Sequence, residues 1–271
     1  MVTGSTGSVT VSRESLRRLE KIARAAGAAI MEHYLLGVAA TLKSDGSPLT
    51  LADEAAQQVI AEALEEWDPG IPVISEEAAR APYDERSEWR SFWLVDPLDG
   101  TKEFLSRNGE FTVNIALIED GEPVLGVVYA PALDLMYSAA KGLGAWRTNS
   151  RGQPERIFHR PPSADRPLTV VDSRSHGSPE LEAYLQTINV GSRISMGSSL
   201  KFCVVAEGRA DIYPRLGPTM EWDVAAGDCV YRNSAPDGQH ASPLTYNKPD
   251  LRNGPFVIGA AASVHTAQAF D

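Results

Sequence analysis

The sequence predicts an α+β protein, a layered αβαβα sandwich with an antiparallel N-terminal sheet and a mixed C-terminal α/β half. Three observations lead there. Residues 12–34 and 54–67 repeat apolar side chains at helical spacing, so the chain opens with helices. Four short apolar runs between residues 111 and 148 are separated by glycine turns, the pattern of an antiparallel meander. Beyond residue 168, strand and helix patterns alternate, as in an α/β layer.

Taken in order, the first helix places Leu16, Leu19, Ile22, Ala23, Ala26 and Ile30 on one face. The second does the same with Ala55, Ala56, Val59, Ile60, Ala63, Leu64 and Trp67. A short strand over 72–75 follows, then a polar excursion over 76–90 and a strand over 91–95. That strand is expected to leave the sheet after Asp96, because Pro97 has no N–H to give a ladder. Strands over 111–118, 124–130, 135–140 and 145–148 are joined through Asp120-Gly121 and Gly142-Leu143-Gly144. Residues 147–168 hold four prolines and five arginines, and mark the expected division of the chain into 1–160 and 161–271. The second part reads as strand 168–172, helix 178–188, strand 192–196, helix 198–208, strand 210–214, helix 222–232 and strand 256–261. Ser178 followed by Pro179 is a good helix start. There is no internal repeat and no low-complexity tract.

The 271 residues suffice for a substantial core, and 43% hydrophobic with 23% charged residues is the balance of a soluble globular protein. No apolar stretch approaches the roughly 20 residues that span a bilayer. The N-terminus MVTGSTGSVTVSRESLRRLE lacks the apolar segment of a signal peptide, so a cytoplasmic location is expected. Cys203 and Cys229 sit in apolar helical patterns without metal-type spacing, and are expected to be buried free thiols. With 25 Lys plus Arg against 36 Asp plus Glu, the net charge of −11 argues against nucleic-acid binding. A small anionic substrate is compatible with that charge if cations reverse its sign locally.

The stretch WLVDPLDGTKEF ends an apolar run with Asp96 and Asp99. Proline and Asp99-Gly100 alone read as a turn. Three other acidic sites occupy similar places. Glu76 and Glu77 follow a short strand, Asp223 stands near a helix start in EWDVAAG, and Asp53 lies three residues after Thr50. Each has a local explanation: a solvated turn, a charge at a helix N-terminus, a capping-box variant. Together they place four acidic groups where strands end or helices begin, and so where side chains can converge. Like charges that close repel unless a cation neutralises them. Oxygen-only ligands select hard cations, and magnesium is the usual partner of phosphate substrates. The Asp-x-x-Asp spacing, with a proline inside, also differs from the Asp-x-Asp of phosphatases that form a phosphoaspartate.

Asp96-Pro97-Leu98-Asp99-Gly100-Thr101, the upstream Glu76-Glu77 and Trp222-Asp223-Val224-Ala225-Ala226-Gly227 resemble signatures of the inositol-monophosphatase superfamily. GEFTVNIALI, GVVYAP, YSAAKGLGAW, GSSLKFCVVAEGRADIYPR and GPTMEWDVAAGD resemble its bacterial branch of CysQ-type 3'(2'),5'-bisphosphate nucleotidases. The likeness runs from about Thr50 to Cys229, with all motifs in order. It implies a magnesium-dependent phosphatase. Glu76, Asp96 and the carbonyl of Leu98 would hold one magnesium ion, and Asp96, Asp99 and Asp223 a second. Family members can take a third, looser ion near Glu76 and Asp53. Thr101 with Asp53 would orient the attacking water and accept its proton, with no phosphoenzyme.

Met196-Gly197-Ser198-Ser199-Leu200-Lys201 opens a helix with two hydroxyls and a lysine one turn in, features that suit a phosphate. Arg215 closes the next strand and suits a second phosphate through two parallel hydrogen bonds. Asp172-Ser173-Arg174-Ser175-His176 resembles the loop that in the nucleotidases contacts base and phosphate, with His176 toward the adenine and Ser173 or Arg174 toward the phosphate. Gly100 joins the expected substrate contacts. The resemblance thus implies a small phosphorylated nucleotide as partner: hydrolysis of adenosine 3',5'-bisphosphate to AMP, with 3'-phosphoadenylyl sulfate as a second substrate, in recycling a by-product of sulfate assimilation. The alternatives are an inositol or broad sugar-phosphate monoesterase with the same metals, and a non-catalytic metal or nucleotide sensor.

Overall fold

The computed structural model describes residues 9–36, 41–42, 48–150, 152–159, 166–175, 177–236, 238 and 240–259. Helix α1 (Arg13–Leu36) buries Leu16, Leu19, Ile22, Ala23, Ala26 and Ile30, the stripe read from the sequence. Strands β1 (Thr41–Leu42) and β2 (Pro48–Leu49) pair antiparallel ahead of α2 (Leu51–Trp67). Helix α2 begins earlier than its apolar stripe because Thr50 caps it. The Thr50 side chain accepts from Ala52 N at 3.2 Å, and the Asp53 carboxylate accepts from Thr50 N at 2.8 Å.

Next come β3 (Val73–Ser75), α3 (Tyr83–Arg86), β4 (Ser91–Asp99), α4 (Thr101–Leu105), β5 (Thr112–Glu119), β6 (Glu122–Ala130), β7 (Leu135–Ala140), β8 (Gly144–Asn149) and β9 (Glu155–Ile157). The strands form one seven-stranded sheet in sequence order. It is antiparallel throughout except for the parallel β3–β4 pair. The β5–β6 turn has Asp120 at φ 48° and Gly121 at φ 79°, the positive pair that a tight hairpin matching strand twist requires.

Two expectations need correction. The chain does not leave the sheet after Asp96. Asp96 pairs with Asn114, the ladder breaks at Pro97, and Asp99 pairs again with Thr112. One extra residue on β4 is a β-bulge, which absorbs the missing proline N–H without ending the strand. The proline-rich segment is also not wholly irregular, since β9 adds a seventh strand through pairing that local composition does not reveal.

The C-terminal side contributes β10 (Leu168–Ser173), α5 (Pro179–Leu185), β11 (Val190–Met196), α6 (Leu200–Ala206), β12 (Ile212–Arg215), β13 (Thr219–Met220), α7 (Glu221–Arg232), β14 (Arg252–Asn253) and β15 (Phe256–Gly259). Its four-stranded sheet runs β11-β10-β12-β15, with β10 parallel to β11 and β12, and β15 antiparallel to β12. Strands β13 and β14 form a separate short ladder.

Burial of apolar surface stacks these parts in five layers. Helices α1 and α2 cover one face of the large sheet, with Trp93, Phe111, Ile115 and Val127 beneath them. Helices α6 and α7 lie between the two sheets, in one continuous cluster that runs from Phe92 and Tyr137 through Phe202 and Trp222 to Phe256. Helix α5 covers the outer face of the small sheet with Leu181, Tyr184 and Leu185. This is the αβαβα order. Cys203 and Cys229 are free and buried. Among the described residues, no helix is long and apolar enough to cross a membrane.

Candidate active site

The β4 bulge presents Asp96, Leu98 and Asp99 from one short stretch. Leu98 N donates to Asp96 Oδ1 at 3.1 Å, closing a local turn that leaves Leu98 out of the ladder. Gly100 follows at φ 91°, and a Cβ there would meet Ser198 Oγ at 2.1 Å, so both backbone and space exclude a side chain. Thr101 then opens α4. Ser75 pairs with Val95, and Glu76 N donates to Val95 O at 3.2 Å, so the parallel register sets Glu76 beside Asp96. Asp223 is the third residue of α7, with one carboxylate oxygen accepting from Met220 N at 2.8 Å.

Glu76, Asp96 and Asp223 bring carboxylate oxygens within 4.8 Å of one another. Asp99 flanks them, accepting from Asn114 Nδ2 at 3.3 Å and Ser199 Oγ at 3.2 Å. Burial, then Glu76, Asp99 and Asp223, push the Asp96 carboxyl well above the usual carboxylate range. Burial, then Asp99, push Asp223 up to about 8. Burial also raises Asp99, against the pull of Lys201 and Asn114. A set of carboxylates that repel one another, Asp96 buried and the others half-buried, with no sulfur or imidazole among them, fits a hard divalent cation.

The carboxylates floor a cavity of ≈ 350 Å³ that receives all but two of the expected site residues. Leu98, Gly100 and Thr101 complete the floor and its near wall. Ser173, Ser198, Ser199, Lys201 and Arg215 form the far wall. Asp53 is the first exception: it is buried outside the cavity lining, near enough for its charge to raise the Asp96 carboxyl, and its Oδ2 accepts from Thr50 Oγ1 at 2.6 Å. His176 is the second, and lies outside the described residues. Arg174, the alternative phosphate contact, is held by Glu110 through two hydrogen bonds of 2.8 Å.

The far wall is held from within. Ser198 Oγ donates to Asp99 O at 2.7 Å and Ser199 Oγ to Asp223 O at 2.5 Å, so both hydroxyls tie the start of α6 to the acidic floor. Lys201 is buried, and its ammonium donates to the carbonyls of Ser198 and Met196. Burial lowers it to about 8, with Asp99 opposing that shift. Arg215 donates to Pro218 O at 3.1 Å, while its buried Nε has no hydrogen-bond partner among the described residues.

Some residues here escaped sequence reasoning. Asn114 is fully buried and links Asp99 to Ser199 Oγ at 2.9 Å. A polar residue inside the apolar run FTVNIALI was its signal. Glu103 and Tyr213 also line the cavity, and Glu103 accepts from Ser175 Oγ. Neither carries a local signal.

Residues 12–246 match the inositol monophosphatase family. The chain is 53% identical over 217 residues to the 3'(2'),5'-bisphosphate nucleotidase CysQ of Salmonella typhimurium, which covers 79% of this chain and 86% of that one. Its identity to the protein of the same name from Escherichia coli K12 is 50% over 233 residues, 83% of this chain and 91% of the other. The crystal structure of CysQ from Bacteroides thetaiotaomicron superposes with a TM-score of 0.75 at 39% identity, covering 92% of this chain and 97% of that one. With the family match spanning the acidic floor, the whole large sheet and all of the small sheet but β15, the chain belongs to the inositol monophosphatase family, whose phosphatases are metal-dependent.

Proposed function

We propose that the protein is a magnesium-dependent 3'(2'),5'-bisphosphate nucleotidase that hydrolyses adenosine 3',5'-bisphosphate to AMP and phosphate, and also takes 3'-phosphoadenylyl sulfate. One observation carries the reading: a single cavity opposes an acidic floor to a wall with Lys201 and an Arg215 whose Nε has no hydrogen-bond partner among the described residues. Relatives at 50–53% identity that bear the nucleotidase name support it.

Glu76, Asp96, Asp99, Asp223 and the Leu98 carbonyl are the residues that would hold magnesium. When bound, the ions supply charge to polarise the phosphoryl oxygens and to ease loss of a proton from water. Thr101 would orient the attacking water, with Asp53 as the acceptor of its proton. Gly100, without a side chain, lets Ser198 close on the backbone beside Thr101, where the phosphoryl group would meet main-chain atoms. Lys201 and Arg215 hold the other phosphate by charge-assisted hydrogen bonds, which positions the ester for in-line attack. No carboxylate of the chain is phosphorylated.

Phosphate release from adenosine 3',5'-bisphosphate and from an inositol monophosphate, each with and without magnesium, tests the reading. Faster, magnesium-dependent turnover of the bisphosphate is expected. Faster turnover of the inositol ester would replace the nucleotidase with a sugar-phosphate monoesterase, and trapping of a phosphoaspartate would overturn direct attack by water.

A further inference from the structure

The acidic floor draws Glu76 and Asp223 from distant parts of the chain against their mutual repulsion, so something outside the cavity must hold them together. The polar excursion between β3 and β4, which carries Glu76 at its start, meets the start of α7 at one point and a segment bound to α7 at another. Arg80 places its guanidinium 4.4 Å from the ring centroid of Trp222, the neighbour of Asp223. The second contact is buried. Arg86, 3% exposed at the end of α3, donates from Nη1 to Asn247 Oδ1 at 2.8 Å and from Nη2 to Pro249 O at 2.5 Å. Asn247 Nδ2 returns a bond to Arg86 O at 2.6 Å.

Asn247 is itself fastened to α7. Its N–H donates to Glu221 at 2.7 Å, and the next residue adds Lys248 N at 2.9 Å and Lys248 Nζ at 2.7 Å to the same carboxylate. Glu221 is fully buried, stands two residues before Asp223, and donates its own N–H to Leu251 O at 2.9 Å. A continuous set of hydrogen bonds thus joins the Glu76 excursion to the first turn of α7. Among the described residues, the polar partners of Arg86 are neutral oxygens. A buried cation with neutral partners only is a poor way to gain stability, since an apolar side chain of similar volume serves the fold as well.

We propose that Arg86 is a positioning residue that sets the magnesium affinity of the site by clamping, through Asn247 and Glu221, the loop of Glu76 to the helix of Asp223. The proposal rests on reading the acidic floor as the magnesium site. It gives a role to the segment around Tyr246–Asn253, which contributes no residue to the cavity.

Magnesium binding by calorimetry, on the full chain without substrate, tests it in wild type, Arg86→Met, Arg86→Lys and Asn247→Gly. Asn247 sits at φ 69°, so glycine keeps the backbone conformation and its N–H to Glu221 while removing only the bridge. Arg86→Met and Asn247→Gly are expected to weaken binding by about tenfold or more, as loss of an outer-shell partner does, with Arg86→Lys in between. In turnover the magnesium midpoint moves by the same factor, while kcat at saturating magnesium changes far less. A lowered melting temperature with unchanged magnesium affinity makes the clamp merely structural and overturns the proposal. Should Arg86→Met not fold, Asn247→Gly decides by the same criterion. Absence of magnesium binding in the wild type removes the metal reading itself, and the proposal with it.

Discussion

The floor and the far wall of the cavity face each other, but they are built in opposite ways. The floor takes its carboxylates from a strand bulge, a strand end and a helix start, so backbone geometry fixes them. Without a cation it is in conflict with itself, and Asp96 and Asp223 are pushed toward protonation. The wall takes its charges from the ends of long side chains, with Lys201 resting on carbonyls and Arg215 keeping an Nε that is unpartnered among the described residues. The floor therefore stores charge for a cation, and the wall stores donors for an anion. Catalysis should depend on the first and substrate choice on the second.

Asp96→Asn gives the largest effect, because Asp96 is the carboxylate that Glu76, Asp99 and Asp223 all face. Its kcat is expected to fall by about 10³-fold, the scale on which loss of one transition-state-stabilising group acts. Its metal-free melting temperature should hold or rise, since a buried repelling charge is gone. Activity retained in steady-state phosphate release would break the division between floor and wall.

The wall variants sharpen that division. Lys201→Ala and Arg215→Ala each remove a charge-assisted hydrogen bond of about 1.5–3 kcal/mol, so KM for the bisphosphate nucleotide should rise roughly ten- to a hundredfold. Turnover of a simple phosphate monoester should change little. Equal losses on both substrates would place these cations in the chemistry and not in recognition.

The floor was legible in the sequence because each acidic residue sits next to its own local signal: Pro97 and Gly100 in the bulge, an apolar strand before Glu76, small residues after Asp223. The layer order was legible for the same reason, since helical and alternating apolar patterns are local. What holds the floor was not. Arg86 and Asn247 stand 161 positions apart, and neither residue type nor spacing announces the pair. The end of β4 misled because proline reads as a stop, while the bulge lets Asp99 rejoin Thr112. The hydroxyls of Ser198 and Ser199 are donors in any sequence, and only packing directs them to Asp99 and Asp223.

A smaller effect lies in the pH response of the wall. Burial lowers the Lys201 ammonium to about 8, so its charge is lost as pH rises through that value. KM for the bisphosphate nucleotide should therefore rise above about pH 8. Arginine stays charged there, so Lys201→Arg should flatten the rise even if its absolute KM differs. An identical slope in KM against pH for the two proteins would assign the alkaline limb to another group.

The smallest expected effect separates the acid response of the fold from that of the floor. His159 and His240 lie outside the cavity with ring centroids 4.9 Å apart, and His240 stacks on Tyr231 at 16° between planes. Burial lowers both, His240 to about 4 with help from the charge of His159. Since the folded values are depressed, the histidine contribution to stability is complete above about pH 6.5 and is lost as pH falls toward 4. The raised floor carboxyls act with the opposite sign in the metal-free protein, because the folded state holds protons that the unfolded chain releases near pH 4. Urea midpoints measured in saturating magnesium suppress the floor and leave the histidines. Under those conditions the wild type should weaken between pH 7 and pH 5. His240→Phe, which keeps a ring against Tyr231 and has nothing to protonate, should weaken less. An unchanged pH dependence in that variant would move the acid sensitivity of the fold away from the histidine pair, toward the carboxylates that the floor shares with catalysis.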